Sequence, residues 1–141
     1  MKIRYKDSLV TFNINSANVR KIAAERCGAE SEDNMPDSLV LFDPASQTIT
    51  VDKNASKFYT KYAALHECIC CGHYPELAPE VDDPNKRCGE IDKMLLDSMA
   101  ESEKKLYLAK RIEMFESLLE NNLNPPLEQS FRESLNTLQS L

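Results

Sequence analysis

Both histidines and three of the five cysteines of this 141-residue chain fall within eight residues, His66 to His73. Around them, Phe58, Tyr62, Leu65 and Ile69 recur at spacings of three and four, which predicts an amphipathic helix with that stripe in the core. Asn54 or Ser56 can cap its start, and Gly72 can end it. Tyr59, Ala63, His66 and Cys70 form a neighbouring stripe, because residues four apart share a helix face. Glu67 sits about 100° round from His66, on the shoulder of that face. One helix must therefore pack an apolar side into a core and hold an imidazole, a thiol and a carboxylate beside it.

The flanking sequence supplies that core. Ile3 and Tyr5, then Val10, Phe12 and Ile14, alternate with polar residues and predict short strands within 2–14, with Asp7 and Ser8 turning a hairpin. A helix follows over 16–27, capped by Asn15 or Ser16, with Val19, Ile22, Ala23 and Cys27 on one face and Gly28 at its end. The acidic stretch 30–37 lacks an apolar period and reads as a solvated loop. Ser38-Leu39-Val40-Leu41-Phe42 and Thr48-Ile49-Thr50-Val51 flank the turn sequence Asp43-Pro44-Ala45-Ser46-Gln47, a second hairpin whose more apolar first strand is expected to lie deeper. Beyond the motif, residues 74–87 form a loop with Pro75, Pro79 and Pro84. A helix begins near Cys88-Gly89-Glu90, with Ile91, Leu95 and Met99 on one face. A longer helix over 103–121 repeats Leu108, Ile112, Phe115 and Leu119. Asn121-Asn122 and Pro125-Pro126 break it before a last helix over 127–139. The expected fold is α+β: a small antiparallel sheet packed against the motif helix, with a helical C-terminal part that covers the core and could also form a homodimer contact.

Length and composition fit one domain, 1–141, large enough to bury roughly two thirds of its unfolded surface. A formal charge of -6 argues against a protein that grips nucleic acid through its phosphates. No run matches a membrane span and the N-terminal stretch lacks a signal-peptide apolar region, so a cytoplasmic protein with reduced cysteines is expected. In that setting clustered Cys and His favour a metal, zinc first, over a disulfide framework.

His66-Glu67-x-x-Cys70 has the layout of the H-E-x-x-H zinc motif, in which two ligands one turn apart hold the metal and the Glu works on its water. Together with the preceding hairpin and the following Glu-bearing helix, the stretch from Leu39 to Met99 resembles the minimal gluzincin metallopeptidases of the ImmA/IrrE type. The resemblance implies a gluzincin-like core over 38–102 and a C-terminal helical extension over 103–141. It implies zinc as cofactor and a peptide or protein as substrate or partner. His66 matches the first ligand, Glu67 the catalytic base and Glu90 the ligand on the next helix, while Cys70 stands where the second histidine would be. A thiolate is a good zinc ligand, but it gives the metal more electron density than imidazole does and acidifies bound water less.

Each residue has a plainer role as well. Cysteine is a common small core residue, helix N-termini favour Glu, and a partly buried histidine needs only hydrogen bonds. Asp92 or Asp97 could orient a ligand histidine. His73, seven residues after His66, suggests a different site: His66, Cys70 and His73 closed by Cys68, Cys71 or Cys88, a structural zinc with no open position. Three functions thus stand side by side. They are a zinc metallopeptidase, a non-catalytic zinc-stabilised binding or regulatory protein on the same scaffold, and a thiol redox sensor built on Cys70-Cys71 and Cys68.

Overall fold

The alternating residues near the N-terminus form the expected hairpin. In the computed structural model, which describes residues 1–27, 31–121 and 123–141, β1 (Lys2–Tyr5) and β2 (Ser8–Thr11) pair antiparallel, with Ile3 opposite Val10. Lys6 makes the turn in a left-handed conformation, φ 51°. Ile3, Tyr5 and Val10 are buried.

The next stretch departs from expectation. Asn15 and Ser16 do not cap a helix; they lie in a third strand, β3 (Asn13–Ala17). The helix α1 spans Val19–Cys27, and the side chain of Asn18 accepts from the Lys21 amide at 3.2 Å. Asn and Ser are poor strand formers and good caps, so local preference points to a helix start. The backbone groups of β3 gain partners by pairing parallel with β5 (Thr48–Asp52), and that tertiary ladder overrides the preference. Gly28 and Glu30 lie outside the described residues, as does the side chain of Cys27.

β4 (Val40–Asp43) pairs antiparallel with β5, with Val40 opposite Val51 and Asp43 opposite Thr48. Asp43 shapes the turn by accepting from the Ala45 amide at 3.1 Å and the Ser46 hydroxyl at 2.8 Å. The sheet order is β3-β5-β4, so β5 is central. Ile49 and Val51 on β5 are buried, whereas Val40, Leu41 and Phe42 on β4 are only half-buried. The expected depth of the two strands is reversed, because an apolar edge strand still has a side without a neighbour.

α2 (Lys57–Cys70) is the motif helix. Of the two candidate caps Ser56 is used; its hydroxyl accepts from the Tyr59 amide at 3.3 Å. Tyr62, Leu65 and Ile69 are buried as the core stripe, with Cys68 beside them. Gly72, at φ +88°, ends the helix, and its amide donates to the Ile69 carbonyl at 3.1 Å. α2 packs against β5 and against α3 (Arg87–Leu96). Ile91, Leu95 and Met99 are buried as expected.

α4 (Glu101–Leu119) is rotated from its expected orientation. Tyr107, Arg111, Met114 and Phe115 are buried, while Leu108, Ile112 and Leu119 are half-buried. A charged side chain thus replaces leucine at the centre of the inward face. α5 (Pro125–Gln139) begins at the two prolines rather than after them. Proline suits a first helical turn, whose amides have no partner within the helix, and Asn124 caps the start by accepting from the Leu127 amide at 3.0 Å. α5 packs on α3 and α4, so the C-terminal helices cover the core. At Gly89 the approach is close: a Cβ there would lie 2.9 Å from Thr137 Cβ and 3.1 Å from Ser134 Cα. No helix among the described residues is long and apolar enough to cross a membrane.

Candidate metal centre

His66 projects from α2 into the space between α3 and α4 and is 2% exposed. A buried imidazole needs a partner, and its Nδ1 lies 2.8 Å from Oδ1 of Asp92, which is fully buried on α3. An isolated carboxylate at that depth would be costly. Asp92 is satisfied by three groups: His66, the Tyr107 hydroxyl donating to Oδ1 at 2.7 Å, and Arg111 Nε donating to Oδ2 at 2.8 Å. Burial alone would push its pKa up, but the charges of Arg111 and His66, with the hydrogen bonds, hold the carboxyl well below the usual range. This explains the rotation of α4, since its buried arginine is the counter-ion of a buried aspartate.

Because Nδ1 is committed to Asp92, Nε2 of His66 remains to face outward, the arrangement usual for a metal-binding histidine. It faces two thiols. The ligand atoms of His66, Cys70 and Cys88 all lie within 4.8 Å of one another, and Cys70 Sγ is 3.8 Å from Cys88 Sγ. Cys88 and Asp92 are four residues apart on α3, so both point at α2. Nη2 of Arg111 stands 3.5 Å from His66 Nε2.

Three opposing influences set the protonation of this cluster. Burial would lower the pKa of His66, and Arg111 adds to that, but the Asp92 charge together with the hydrogen bonds to Asp92 and Cys70 lifts it to about 9. The Cys70 thiol is pulled down to about 4 by the hydrogen bond from Cys88 and then by His66, against burial. Cys88, as the hydrogen-bond donor to Cys70 and itself buried, is pushed up. Without metal, then, imidazolium and thiolate form an ion pair beside a neutral thiol. Burial also raises the pKa of Glu67.

The cluster opens into a cleft of about 350 Å³. Glu67 lies on its wall together with largely apolar side chains, among them Leu41, Met114, Leu118 and Phe131. A larger cavity of about 480 Å³ lies between the N-terminal hairpin and α2, lined by Arg4, Lys6, Lys61 and Asp97 among others. It touches none of the three clustered residues and is not the site.

The structure brings together His66, Cys70, Cys88 and Asp92, and sets Glu67 beside them. Glu90 does not join them: on α3 it lies about 200° round from Cys88, off the face that meets α2. His73 is exposed beyond Gly72, so a site shared with His66 and Cys70 does not form. Cys71 is exposed and donates to the Cys68 carbonyl at 3.2 Å. Cys68 is buried in the core, where burial raises its thiol to about 12. Asp97 is exposed and lines the other cavity. Sequence reasoning missed Tyr107 and Arg111. The available signal was the Tyr107, Arg111, Met114, Leu118 spacing, a helical stripe of apolar residues interrupted by one charge.

No protein-family model matches the chain, and neither a curated protein nor a solved structure matches it.

Proposed function

We propose that the chain is a zinc protein of hydrolytic, peptidase-like type, with His66 Nε2, Cys70 Sγ and Cys88 Sγ holding the metal and a fourth position facing the cleft. The observation that carries this reading is the convergence of those three ligand atoms within 4.8 Å at the cleft. A tetrahedral zinc with sulfurs at about 2.3 Å sets two of them roughly 3.8 Å apart. The Cys70–Cys88 separation is 3.8 Å. One imidazole and two thiolates suit zinc better than harder cations, and three protein ligands with an open position are the pattern of catalytic zinc.

Zinc bound there would supply a Lewis acid for a substrate carbonyl and would acidify water. Glu67, on the cleft wall with its pKa raised by burial, is the group that would take a proton from that water and return it to the leaving nitrogen. Two thiolates would largely neutralise such a metal and weaken its pull on water. Arg111, a cation 3.5 Å from Nε2, offsets part of that loss. The donor set differs from the gluzincin pattern at two of three ligands, so the peptidase reading rests on Glu67 and the open position.

The test begins with metal content after purification without added zinc, in the parent and in His66→Ala, Cys70→Ser and Cys88→Ser. Near-stoichiometric zinc in the parent, lost in all three, is expected. A folded parent that neither carries nor takes up zinc would sink the proposal. Glu67→Gln should then keep zinc and lose hydrolysis of a peptide library. Zinc without hydrolysis in the parent would mark a non-catalytic binding or regulatory protein.

A second reading, thiol redox chemistry, is favoured by the same 3.8 Å contact, with Cys88 rather than Cys71 as the partner of Cys70. Hydrogen peroxide would transfer one oxygen to the Cys70 thiolate, giving the sulfenic acid, while its other oxygen leaves as water after taking up a proton. Cys88 would then attack the sulfenyl sulfur, forming the disulfide and expelling a second water. Peptide mapping after mild peroxide should find a Cys70–Cys88 bridge that thiols reverse; oxidation confined to Cys71 would exclude it.

A further inference from the structure

Arg111 is 2% exposed, yet only one of its three nitrogens meets a carboxylate. Nε takes Asp92 Oδ2 at 2.8 Å, a single bond where a guanidinium can make two. At the other end of the fork, Nη1 has the thioether of Met114 at 3.5 Å and Nη2 has His66 Nε2 at 3.5 Å. A thioether is a weak acceptor, and 3.5 Å is long for an N–H bond to an imidazole nitrogen. The Tyr59 hydroxyl, which donates its own proton to the Ser38 carbonyl at 2.6 Å, keeps lone pairs that accept from the guanidinium, but it is a neutral acceptor and leaves the charge unpaired on that side. The Phe115 ring lies 5.2 Å from the guanidinium carbon and fixes its plane. A buried guanidinium therefore borders the cleft with its Nη edge short of strong acceptors, which is costly unless something else supplies them. Nε2 of His66 offers Nη2 a lone pair only when it carries neither a proton nor a metal, so that contact is no lasting acceptor.

The rest of the cleft agrees with an anion that carries an apolar body. Arg26, exposed on α1, adds a second cation at the rim, against the single carboxylate of Glu67. Leu41, Met114, Leu118 and Phe131 line the space between them. At about 350 Å³ the volume suits one or two amino-acid residues, well short of an extended polypeptide.

We infer that the Nη edge of Arg111 is a carboxylate-binding subsite and that the cleft takes a small ligand with a free carboxylate on an apolar body, such as an N-acyl amino acid or short peptide C-terminus. As a statement about substrate, this rests on the hydrolase reading; as a statement about binding, it does not. The ligand carboxylate accepts two parallel N–H bonds from Nη1 and Nη2, while Nε stays on Asp92. The predicted hydrolysis then falls on an amide bond near a C-terminus rather than inside a long chain.

The probes are N-acetyl-L-leucine and N-acetyl-L-leucinamide, which differ only in carboxylate against amide, titrated calorimetrically into metal-free and zinc-loaded protein. The acid is expected to bind roughly ten- to hundredfold more tightly in both forms, the range for charge-assisted bonds exchanged for neutral ones. Equal binding of the two, or no binding of either, overturns the inference. A preference present only with zinc overturns it too, because the carboxylate would then be on the metal. Arg111→Met risks unfolding, since it strands Asp92, so Arg111→Lys is the variant to use. It keeps a cation beside Asp92 but loses the fork, and most of the preference should disappear; a preference undiminished in Arg111→Lys overturns the assignment. A protein that takes up no zinc yet prefers the acid would defeat the zinc reading and leave this one standing.

Discussion

Cys68 and Cys70 sit two residues apart on α2 and have opposite chemistry. Cys68 lies in the core, without a charged partner, and burial pushes its thiol to about 12. Cys70 looks across at Cys88 and His66, and those contacts hold it at about 4. Cys68 is buried and Cys70 half-buried, but burial raises both thiols, so depth cannot account for a fall in Cys70. What differs is that the Cys70 side of the helix meets a prearranged array of donors and charges, anchored by Asp92, Tyr107 and Arg111. One face of α2 makes the fold and the adjacent face borrows its order from two later helices.

That contrast can be broken most forcefully at the thiols. Cys70→Ser and Cys88→Ser are expected to abolish stoichiometric zinc uptake, measured by elemental analysis. Cys68→Ala should leave uptake intact and cost about 1 kcal/mol in denaturant unfolding. Equal loss of zinc in all three would mean that the two faces are not functionally distinct.

Next in size is Asp92→Ala. It leaves Arg111 buried without its counter-ion and frees His66 to turn, so a loss of about 3–5 kcal/mol in unfolding free energy is expected. A loss below about 1 kcal/mol would show that the buried network orders nothing.

The pH dependence of zinc binding sharpens the comparison further. With its pKa lifted to about 9, His66 must lose a proton to bind metal at neutral pH, and Cys88, also pushed up, must lose another. Cys70, held at about 4, is already a thiolate. Binding at pH 7 should therefore release about two protons, and affinity should fall about a hundredfold for each pH unit of acidification. Calorimetry in buffers of different ionisation enthalpy measures the proton count; release of about one proton, unchanged in Cys88→Ser, would mean that Cys88 is not a ligand.

The smallest effect belongs to the packing face. Ser56→Ala removes the cap of α2 and should cost about 1 kcal/mol of stability while zinc uptake stays unchanged.

Much of the packing face was legible in the sequence. The Tyr62, Leu65, Ile69 stripe, the Ser56 cap, the Gly72 stop and the β4–β5 hairpin all follow from local preference and period. The chemical face was legible only in part. His66, Cys70 and Glu67 share one helix, so their spacing places them. Whether Glu90 or Cys88 faces them depends on the rotation of α3, which spacing within α2 cannot reveal. Arg111 was hidden for a related reason: a charge in an amphipathic helix is normally assigned to solvent, and only the presence of Asp92 across the interface reverses that. β3 was lost because its partner strand lies more than thirty residues later, and pairing decided its conformation against local preference.

The close seat of Gly89 against Thr137 and Ser134 bears on how the molecule is made. During synthesis α2 and α3 leave the ribosome well before α5, yet the surface that α3 rests on belongs to α5. Until that helix arrives, the rotation of α3 is held by its packing on α2 and by the bonds of Asp92 to His66, Tyr107 and Arg111, without the close seat at Gly89 that completes it. A nascent chain lacking α5 would therefore hold the histidine and the two thiols in a looser geometry. Metal acquired at that stage would be held loosely and open to exchange, and the docking of the last helix would turn it into a resident ion.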